Sequence, residues 1–208
     1  MELHPNIAQA FQILRFQSSL AGRGGPDMED VYRRTIGVME RLGVKWTLVG
    51  AHAVNAYARP RATADIDFVV EAKKLTRVLE ALEAEFGNTS TTDMGAAMRV
   101  TNLSIDLIRS DNHPLFRAAL DAAEDRGGAR VPPPELLVAL KFLAIVSPWR
   151  KVADRKQDAA DLINVYQAAG DEFDRDAAIA YGKTVYPGAE RELGELLDGI
   201  DAGRDVPV

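Results

Sequence analysis

The sequence contains no cysteine among its 208 residues. This absence excludes disulfide bonds, a thiolate nucleophile and thiolate-ligated metal sites, and it is compatible with a reducing compartment. Long hydrophobic runs are also missing, because the most apolar stretch, 136–146, is interrupted by Lys141 and falls short of the roughly 20 residues that cross a bilayer. The first residues lack a basic region followed by an apolar one. We therefore expect a cytoplasmic protein with no membrane partner.

An excess of positive charge is lacking as well. The chain has 25 Lys and Arg against 31 Asp and Glu, which gives a formal charge of −6. This balance disfavours a protein coated with basic charge for gripping long nucleic acids, since such binding scales with the number of phosphates neutralised. Basic residues do cluster at Arg59 and Arg61 and over 150–156, so a short RNA end could still bind there.

What is present is the composition of a folded globular protein, with 47% hydrophobic and 27% charged residues. The spacing of the apolar residues predicts an α+β fold, with a mixed β-sheet core flanked by helices and followed by a helical carboxy-terminal region. We expect a peripheral amino-terminal helical arm at 1–26, a core domain at 27–128 and the helical region at 129–208. The predicted strands are 44–50, 65–70, 97–100 and 103–108, and the predicted helices are 5–20, 27–42, 51–57, 73–86, 114–125, 134–147, 154–169, 175–182 and 189–200.

Gly50 separates the first predicted strand from an alanine-rich helix. A tight turn alone accounts for such a glycine in many folds. The alternative is a phosphate site, because backbone N–H groups at a helix start bind phosphate oxygens with the help of the helix dipole.

Two carboxylates interrupt the apolar strand predicted at 65–70. Asp65 and Asp67 are two residues apart, so on a strand they point the same way, about 6 to 7 Å apart along the backbone. Carboxylates are poor strand formers, which suggests that these two have a function. They lie close enough to share hard cations such as Mg²⁺. Asp106 interrupts another apolar strand and is the best candidate for a third ligand, with Asp93 in reserve unless it belongs to a turn.

These features together resemble the polymerase-β-type nucleotidyltransferase superfamily. Within it, the sequence is most similar to bacterial nucleotidyltransferases of the abortive-infection toxin kind and their uncharacterised relatives. The resemblance extends over roughly residues 46–161 and rests on Gly50-Ala51 at a helix start, on Arg61-X-Thr63-X-Asp65-Ile66-Asp67 and on Asp106.

The resemblance implies transfer of a nucleoside monophosphate from an NTP to an acceptor hydroxyl. Asp65, Asp67 and Asp106 would be catalytic and would bind two Mg²⁺ ions, a pair that can stabilise both the attacking and the leaving oxygen. Gly50 and the backbone of Ala51 would hold the β- and γ-phosphates.

Other residues near the bend have two interpretations each. His52 would add a phosphate contact, or it is a histidine exposed to water at the helix start. Arg61 would meet the triphosphate, or it neutralises the acidic strand. Trp46 and Tyr57 would stack on a base, or they are packed core residues.

The resemblance continues in the carboxy-terminal helices. Lys141 lies in a leucine-rich helix and is implied to contact the nucleotide, while the alternative is a snorkelling side chain with its amine in solvent. Asp158 belongs to a segment that resembles a Lys-Asp-X-X-Asp helix and is an implied nucleotide-binding residue. Gln157 occupies the lysine position of that pattern, with Lys156 next to it as a substitute, and we expect Asp161 to be structural.

Ala51 departs from the family pattern, because many relatives have glycine or serine there and no hydroxyl can then touch the phosphate. Ala51 and Gln157 therefore keep a second hypothesis open, in which the fold is a catalytically silent nucleotide-binding or regulatory module. The acceptor could be an RNA end such as that of tRNA, a protein or a small molecule. A toxin restrained by a cognate antitoxin is a further possibility.

Overall fold

The computed structural model describes residues 3–22, 24–204 and 206. The first two residues of the predicted arm, Arg23, and residues 205, 207 and 208 of the predicted carboxy-terminal region therefore lie outside the described part of the chain. The chain divides into two compact units between Pro132 and Pro133. The division falls inside the glycine- and proline-rich stretch at 127–134.

The first unit combines helices with short strands. Its helices are α1 (Pro5–Leu20), α2 (Met28–Arg41), α3 (Gly50–Asn55), α4 (Leu75–Phe86) and α5 (Pro114–Asp121). Its strands are β1 (Trp46–Leu48), β2 (Ile66–Val70), β3 (Thr91–Asp93), β4 (Ala97–Val100), β5 (Ile105–Arg109), β6 (Glu124–Asp125) and β7 (Arg130–Val131).

The sheet is mixed, as the sequence predicts. Among the described residues it has five strands in the order β1-β2-β5-β4-β3. Strands β2 and β5 are parallel, and the other neighbouring pairs are antiparallel. The parallel pair arises because α4 and the β3–β4 hairpin intervene between β2 and β5. This topology places the two aspartate-bearing strands side by side at the centre of the sheet.

Two segments differ from the predicted pattern. Strand β3 was not predicted, because its exposed and polar sequence has no apolar alternation and gains its pairing only from β4. The helix predicted to run to residue 125 ends at Asp121, and residues 124–125 pair with 130–131 instead. Asp125 accepts a hydrogen bond from the backbone N–H of Gly128, which closes this small hairpin.

The expectation of a peripheral amino-terminal arm is wrong. Helix α1 buries Ile7, Ala10 and Phe11 in the core of the first unit. These residues recur at three- and four-residue spacing and form one apolar stripe. The phenyl ring of Phe11 lies 5.6 Å from the ring of Tyr32 on α2, measured between centroids. The arm is therefore part of the domain that carries the sheet.

The second unit is helical, which confirms the predicted carboxy-terminal region. It comprises α6 (Pro134–Val146), α7 (Val152–Ala169), α8 (Arg175–Gly182) and α9 (Ala189–Asp201). Its core contains Leu136, Leu162, Leu193 and Leu197, each fully or almost fully buried. Across the described ranges of both units, every helix is too short or too polar to span a bilayer.

Candidate functional site

Three charged residues lie side by side, in register, on neighbouring strands of the sheet. Asp67 on β2 is the register partner of Asp106 on β5, and Asp106 is the register partner of Arg99 on β4. Register partners on adjacent strands are about 5 Å apart and project to the same face. The sheet therefore brings Asp67 and Asp106 together, as the sequence predicts, and adds an arginine that the sequence analysis did not identify.

Arg99 binds Asp106 through both carboxylate oxygens. Its Nε donates to Oδ1 at 2.7 Å and one terminal nitrogen donates to Oδ2 at 2.5 Å. These hydrogen bonds raise the pKa of Arg99 above its ordinary value, and the negative charges of Asp106, Asp65 and Asp67 contribute to the same shift. Asp106 and Arg99 therefore form a two-point ion pair beside the register position of Asp67.

Gly50 lies directly against Asp67. Its φ is +61°, in the left-handed region where only glycine is unstrained. A Cβ added to Gly50 would lie 2.8 Å from Cγ of Asp67 and closer still to a carboxylate oxygen. Both the backbone angle and the missing side chain are therefore required, and the bend and the carboxylate form one site.

Asn55 fixes the loop that leads to Asp65, a role that was not predicted from the sequence. Its side chain donates to the carbonyl of Arg61 and accepts from the N–H of Arg61, both at 3.0 Å. Asn55 is completely buried, so this pair replaces hydrogen bonds that the loop would otherwise leave unmade. The signal was available, because a polar amide in an alanine-rich apolar helix needs a partner. Asp65 itself is exposed and lies one residue before β2.

The carboxylates do not form a ready-made metal site. Across residues 3–22, 24–204 and 206, no three aspartate, glutamate or histidine side chains are grouped closely enough to hold a cation. The reason lies in the contacts above: Asp106 is held by Arg99, and Asp65 is on the exposed loop. The donor chemistry nevertheless suits Mg²⁺, because paired carboxylates on one sheet face are hard oxygen ligands.

His52 is not exposed to water, so that interpretation was wrong. The residue is 1% exposed and its ring lies 4.7 Å from the ring of Phe11, between centroids. Burial, with a smaller effect from the charge of Arg61, lowers the pKa of His52 to about 3. Neither ring nitrogen has a hydrogen-bond partner in the described part of the chain. The imidazole faces the aromatic core, and the phosphate contact of His52 stays a prediction.

Lys141 does not snorkel into solvent. Its ammonium group is buried in the second unit, 2.9 Å from Oδ1 of Asp158 and 2.7 Å from Oδ2 of Asp161. Lys141 and Asp158 are thus paired with each other, and their nucleotide contacts stay a prediction. The two aspartates are three residues apart on α7 and so share one helix face, which meets Lys141 on α6.

The remaining oxygens of this buried cluster are also satisfied. Arg150 donates from Nε to the second oxygen of Asp158, and Gln157 donates to the second oxygen of Asp161 at 3.2 Å. Gln157 thus has a structural partner at the lysine position of the family pattern, while Lys156 is exposed. A fully paired polar network of this kind is stable in a low-dielectric interior. The expected structural role of Asp161 fits this arrangement.

Three further expectations can be compared with the structure. Asp93 is the last residue of strand β3, and its carboxylate accepts a hydrogen bond from the N–H of Gly95 in the following turn at 2.8 Å and pairs with Arg109 at 3.0 Å, which fits the expected turn role. Trp46 is buried with its ring edge-on to Phe68, as expected for a core tryptophan. Tyr57 donates to the carbonyl oxygen of Pro132 at 2.8 Å, as expected for a packed tyrosine.

Comparison with solved structures identifies the fold. The solution structure of the antibiotic-resistance factor ANT(2'')-Ia superposes with a TM-score of 0.52 at 14% identity, over 84% of this chain and 97% of that protein. ANT(2'')-Ia is a nucleotidyltransferase. This chain has a nucleotidyltransferase fold. The crystal structure of ANT(2'')-Ia in complex with adenylyl-2''-tobramycin gives the same score and identity, over 73% of this chain and 95% of that one.

A third structure, of an antigenic nucleotidyltransferase-like protein from Paracoccidioides brasiliensis, matches with a TM-score of 0.46 and 14% identity over 85% of this chain and 94% of that chain. No protein-family model matches the sequence. No curated protein matches it either. The nucleotidyltransferase fold is therefore recognised from the structure, and a special relation to the abortive-infection toxins stays a prediction.

Proposed function

We propose that this chain is a metal-dependent nucleotidyltransferase that moves a nucleoside monophosphate from an NTP to an acceptor hydroxyl. One observation carries the proposal: the Gly50 bend lies against Asp67, and Asp67 lies abreast of Asp106. A helix start that can hold phosphate oxygens and carboxylates that can hold cations are thereby adjacent.

Asp65, Asp67 and Asp106 are the residues that would hold Mg²⁺, with two ions expected. Bound metal would stabilise negative charge on the attacking and leaving oxygens at phosphorus. Asp106 would accept the proton of the acceptor hydroxyl once its carboxylate is released from Arg99. The freed guanidinium would remain on the same sheet face, where a cation favours an anionic substrate.

The nucleotide would be held mainly by backbone groups. Gly50 and Ala51 would offer N–H groups to the phosphates, and Ala51 adds no hydroxyl. Arg61 would contribute a positive charge from the loop that Asn55 fixes. His52 is buried against the ring of Phe11, whereas Lys141 and Asp158 are buried as an ion pair, so we give all three structural roles.

The acceptor is left open between an RNA end, a protein and a small molecule. A toxin with a cognate antitoxin is the narrower version of the proposal. It predicts that expression slows bacterial growth and that Asp67→Ala restores growth. Restored growth in a control that changes only Asp93 would contradict it.

A catalytically silent module on the same fold is the second candidate. The observation that favours it is the two-point pairing of Asp106 with Arg99, which leaves that carboxylate already neutralised. Such a module would bind an NTP and release no pyrophosphate with any acceptor.

The decisive experiment is incubation with Mg²⁺, each labelled NTP and cell extract, with pyrophosphate release and acceptor labelling as readouts. The native chain should label an acceptor, and Asp67→Ala should reduce labelling at least a hundredfold. Asp93→Asn is the matched control, because Asp93 is an exposed carboxylate of the same sheet and should be dispensable. Equal labelling by Asp67→Ala would refute the catalytic assignment.

A further inference from the structure

The loop between α6 and α7 exposes a tryptophan to solvent. Trp149 is 92% exposed, whereas the only other tryptophan of the sequence, Trp46, is 6% exposed. Val152, at the start of α7, is also more than half exposed. Aromatic side chains gain much of their stabilising effect from burial, so a tryptophan kept in water suggests a role in binding.

The same segment is basic within an acidic chain. Residues 150–156 contain four cations, Arg150, Lys151, Arg155 and Lys156, against Asp154, and 4 − 1 gives a local charge of +3. Lys151 and Lys156 are exposed, and no salt bridge involves either of them in the described ranges. Their charges are therefore available to an anionic partner.

Contacts within the second unit hold the loop in shape. The side chain of Arg150 donates to the buried carboxylate of Asp158, which is itself bound by Lys141. The N–H of Arg150 donates to the carbonyl of Ser147 at 3.2 Å and closes the turn around Trp149. The buried cluster thus anchors a short turn that presents the indole, and a preorganised surface loses less conformational entropy on binding.

We propose that this tryptophan segment, the loop 147–151 together with the first residues of α7, 152–156, is a docking surface for single-stranded RNA. The base of one nucleotide would stack on Trp149 while Lys151 and Lys156 contact phosphates. Aromatic platforms flanked by cations are how proteins bind single strands without reading their sequence. A membrane surface fits less well, because membrane binding needs a continuous apolar face. Of residues 149–156 only Trp149, Val152 and Ala153 are apolar, and the other five are charged. The idea that the docked RNA is also the acceptor rests on the proposed function. Binding of RNA to this surface does not depend on it.

Tryptophan fluorescence tests the surface in the full-length protein. Because Trp46 is buried, quenching by acrylamide reports mainly on Trp149. We expect single-stranded oligouridylate and oligoadenylate to quench Trp149 emission and to protect it from acrylamide at low salt. Anisotropy of a labelled oligonucleotide then measures affinity, which should fall about tenfold in Trp149→Ala and recover in part in Trp149→Phe, since a phenyl ring can also stack.

Charge reversal supplies the second arm of the experiment. The pair Lys151→Glu and Lys156→Glu should weaken oligonucleotide binding more than tenfold, while Lys183→Glu, an exposed lysine of the same unit, should have little effect. Circular dichroism verifies that each variant folds.

Several results would overturn the proposal. These are equal affinity of native protein and Trp149→Ala, no binding of any single strand at low salt, or protection of Trp149 by vesicles rich in phosphatidylserine but not by oligonucleotides. Asp67→Ala separates this proposal from the proposed function, because it should abolish transfer and leave binding intact. Nucleotidyl transfer without oligonucleotide binding would refute the docking surface and leave the proposed function intact.

Discussion

Each unit of the chain contains aspartates paired with basic side chains, yet the pair at the candidate site and the cluster around Lys141 differ in access to water. In the first unit the side chains of Asp106 and Arg99 are 16% and 39% exposed. In the second unit those of Lys141 and Asp161 are 8% and 0% exposed. An accessible ion pair can exchange its cation, because water and ligands can replace the broken contacts. A buried network cannot, since each unpaired charge would face a large desolvation cost. The degree of burial therefore distinguishes the candidate site from the buried cluster around Lys141, which has a structural role.

The largest effect is expected from breaking the buried network. Lys141→Met leaves two carboxylates without their shared cation and should lower the free energy of unfolding by about 3 to 5 kcal/mol. Urea denaturation followed by circular dichroism measures this loss. Lys156→Met, on the exposed side of the same unit, should change stability by less than about 0.5 kcal/mol. Similar losses in the two variants would contradict the distinction between buried and accessible charges.

The next effect tests the close contact in the accessible site. Gly43→Ala introduces a side chain at φ +59° with nothing within 4 Å and should cost about 1 to 2 kcal/mol from backbone strain. Gly50→Ala adds a clash with Asp67, so its cost should exceed that of Gly43→Ala by roughly 1 to 3 kcal/mol. Thermal and urea unfolding provide both values. Equal costs would show that the Asp67 carboxylate does not lie over the bend.

His52 provides a test of burial itself, because it is a buried imidazole with no hydrogen-bond partner among the described residues. The folded protein keeps the imidazole neutral, whereas the unfolded chain takes up a proton below its ordinary pKa of 6.5. Stability should therefore fall as pH drops from 6.5 towards 3, by about 2 kcal/mol at pH 5 for this one group. His52→Leu should remove this component from the pH profile of unfolding, and the partly buried His113 provides a control in His113→Asn. An unchanged profile would mean that His52 is protonated in the folded protein.

The smallest effect on stability is expected at Arg99. Because its pair with Asp106 is partly exposed, Arg99→Gln should change the free energy of unfolding by less than about 1 kcal/mol. It should nevertheless raise affinity for Mn²⁺, a spectroscopic probe for Mg²⁺, by about threefold to tenfold, as paramagnetic resonance can measure. Arg109→Gln, which breaks the pair with Asp93 on the same sheet, should leave Mn²⁺ affinity unchanged. Weaker binding in Arg99→Gln would show that the arginine does not compete for Asp106.

The sequence predicted the elements whose signals are local. The glycine between strand and helix, the aspartates in apolar strands and the helical second unit are each visible over a few residues. The convergence of Asp67 and Asp106 was also predicted, because each aspartate interrupts an apolar strand and the family resemblance implies a third carboxylate on a neighbouring strand.

Contacts that depend on strand register or helix pairing were not predicted. Arg99 follows an ordinary amphipathic pattern, and only the pairing of β4 with β5 reveals its contact with Asp106. Lys141 in an apolar helix has the same sequence signature whether it snorkels or binds buried aspartates. His52 was placed in water because the start of a helix is often exposed, and the packing of α1 over that helix was not foreseen. In each case the deciding partner lies on a different strand or helix.

The shared space of Gly50 and Asp67 has an evolutionary consequence. A mutation that enlarges the first residue displaces the second, so neither position can drift independently. A homologue without an aspartate at position 67 would keep only the positive φ as a reason for glycine at position 50, because the close contact would be gone. The two positions should thus covary, and a homologue with a bulky residue at the bend would mark a lineage that has given up this chemistry.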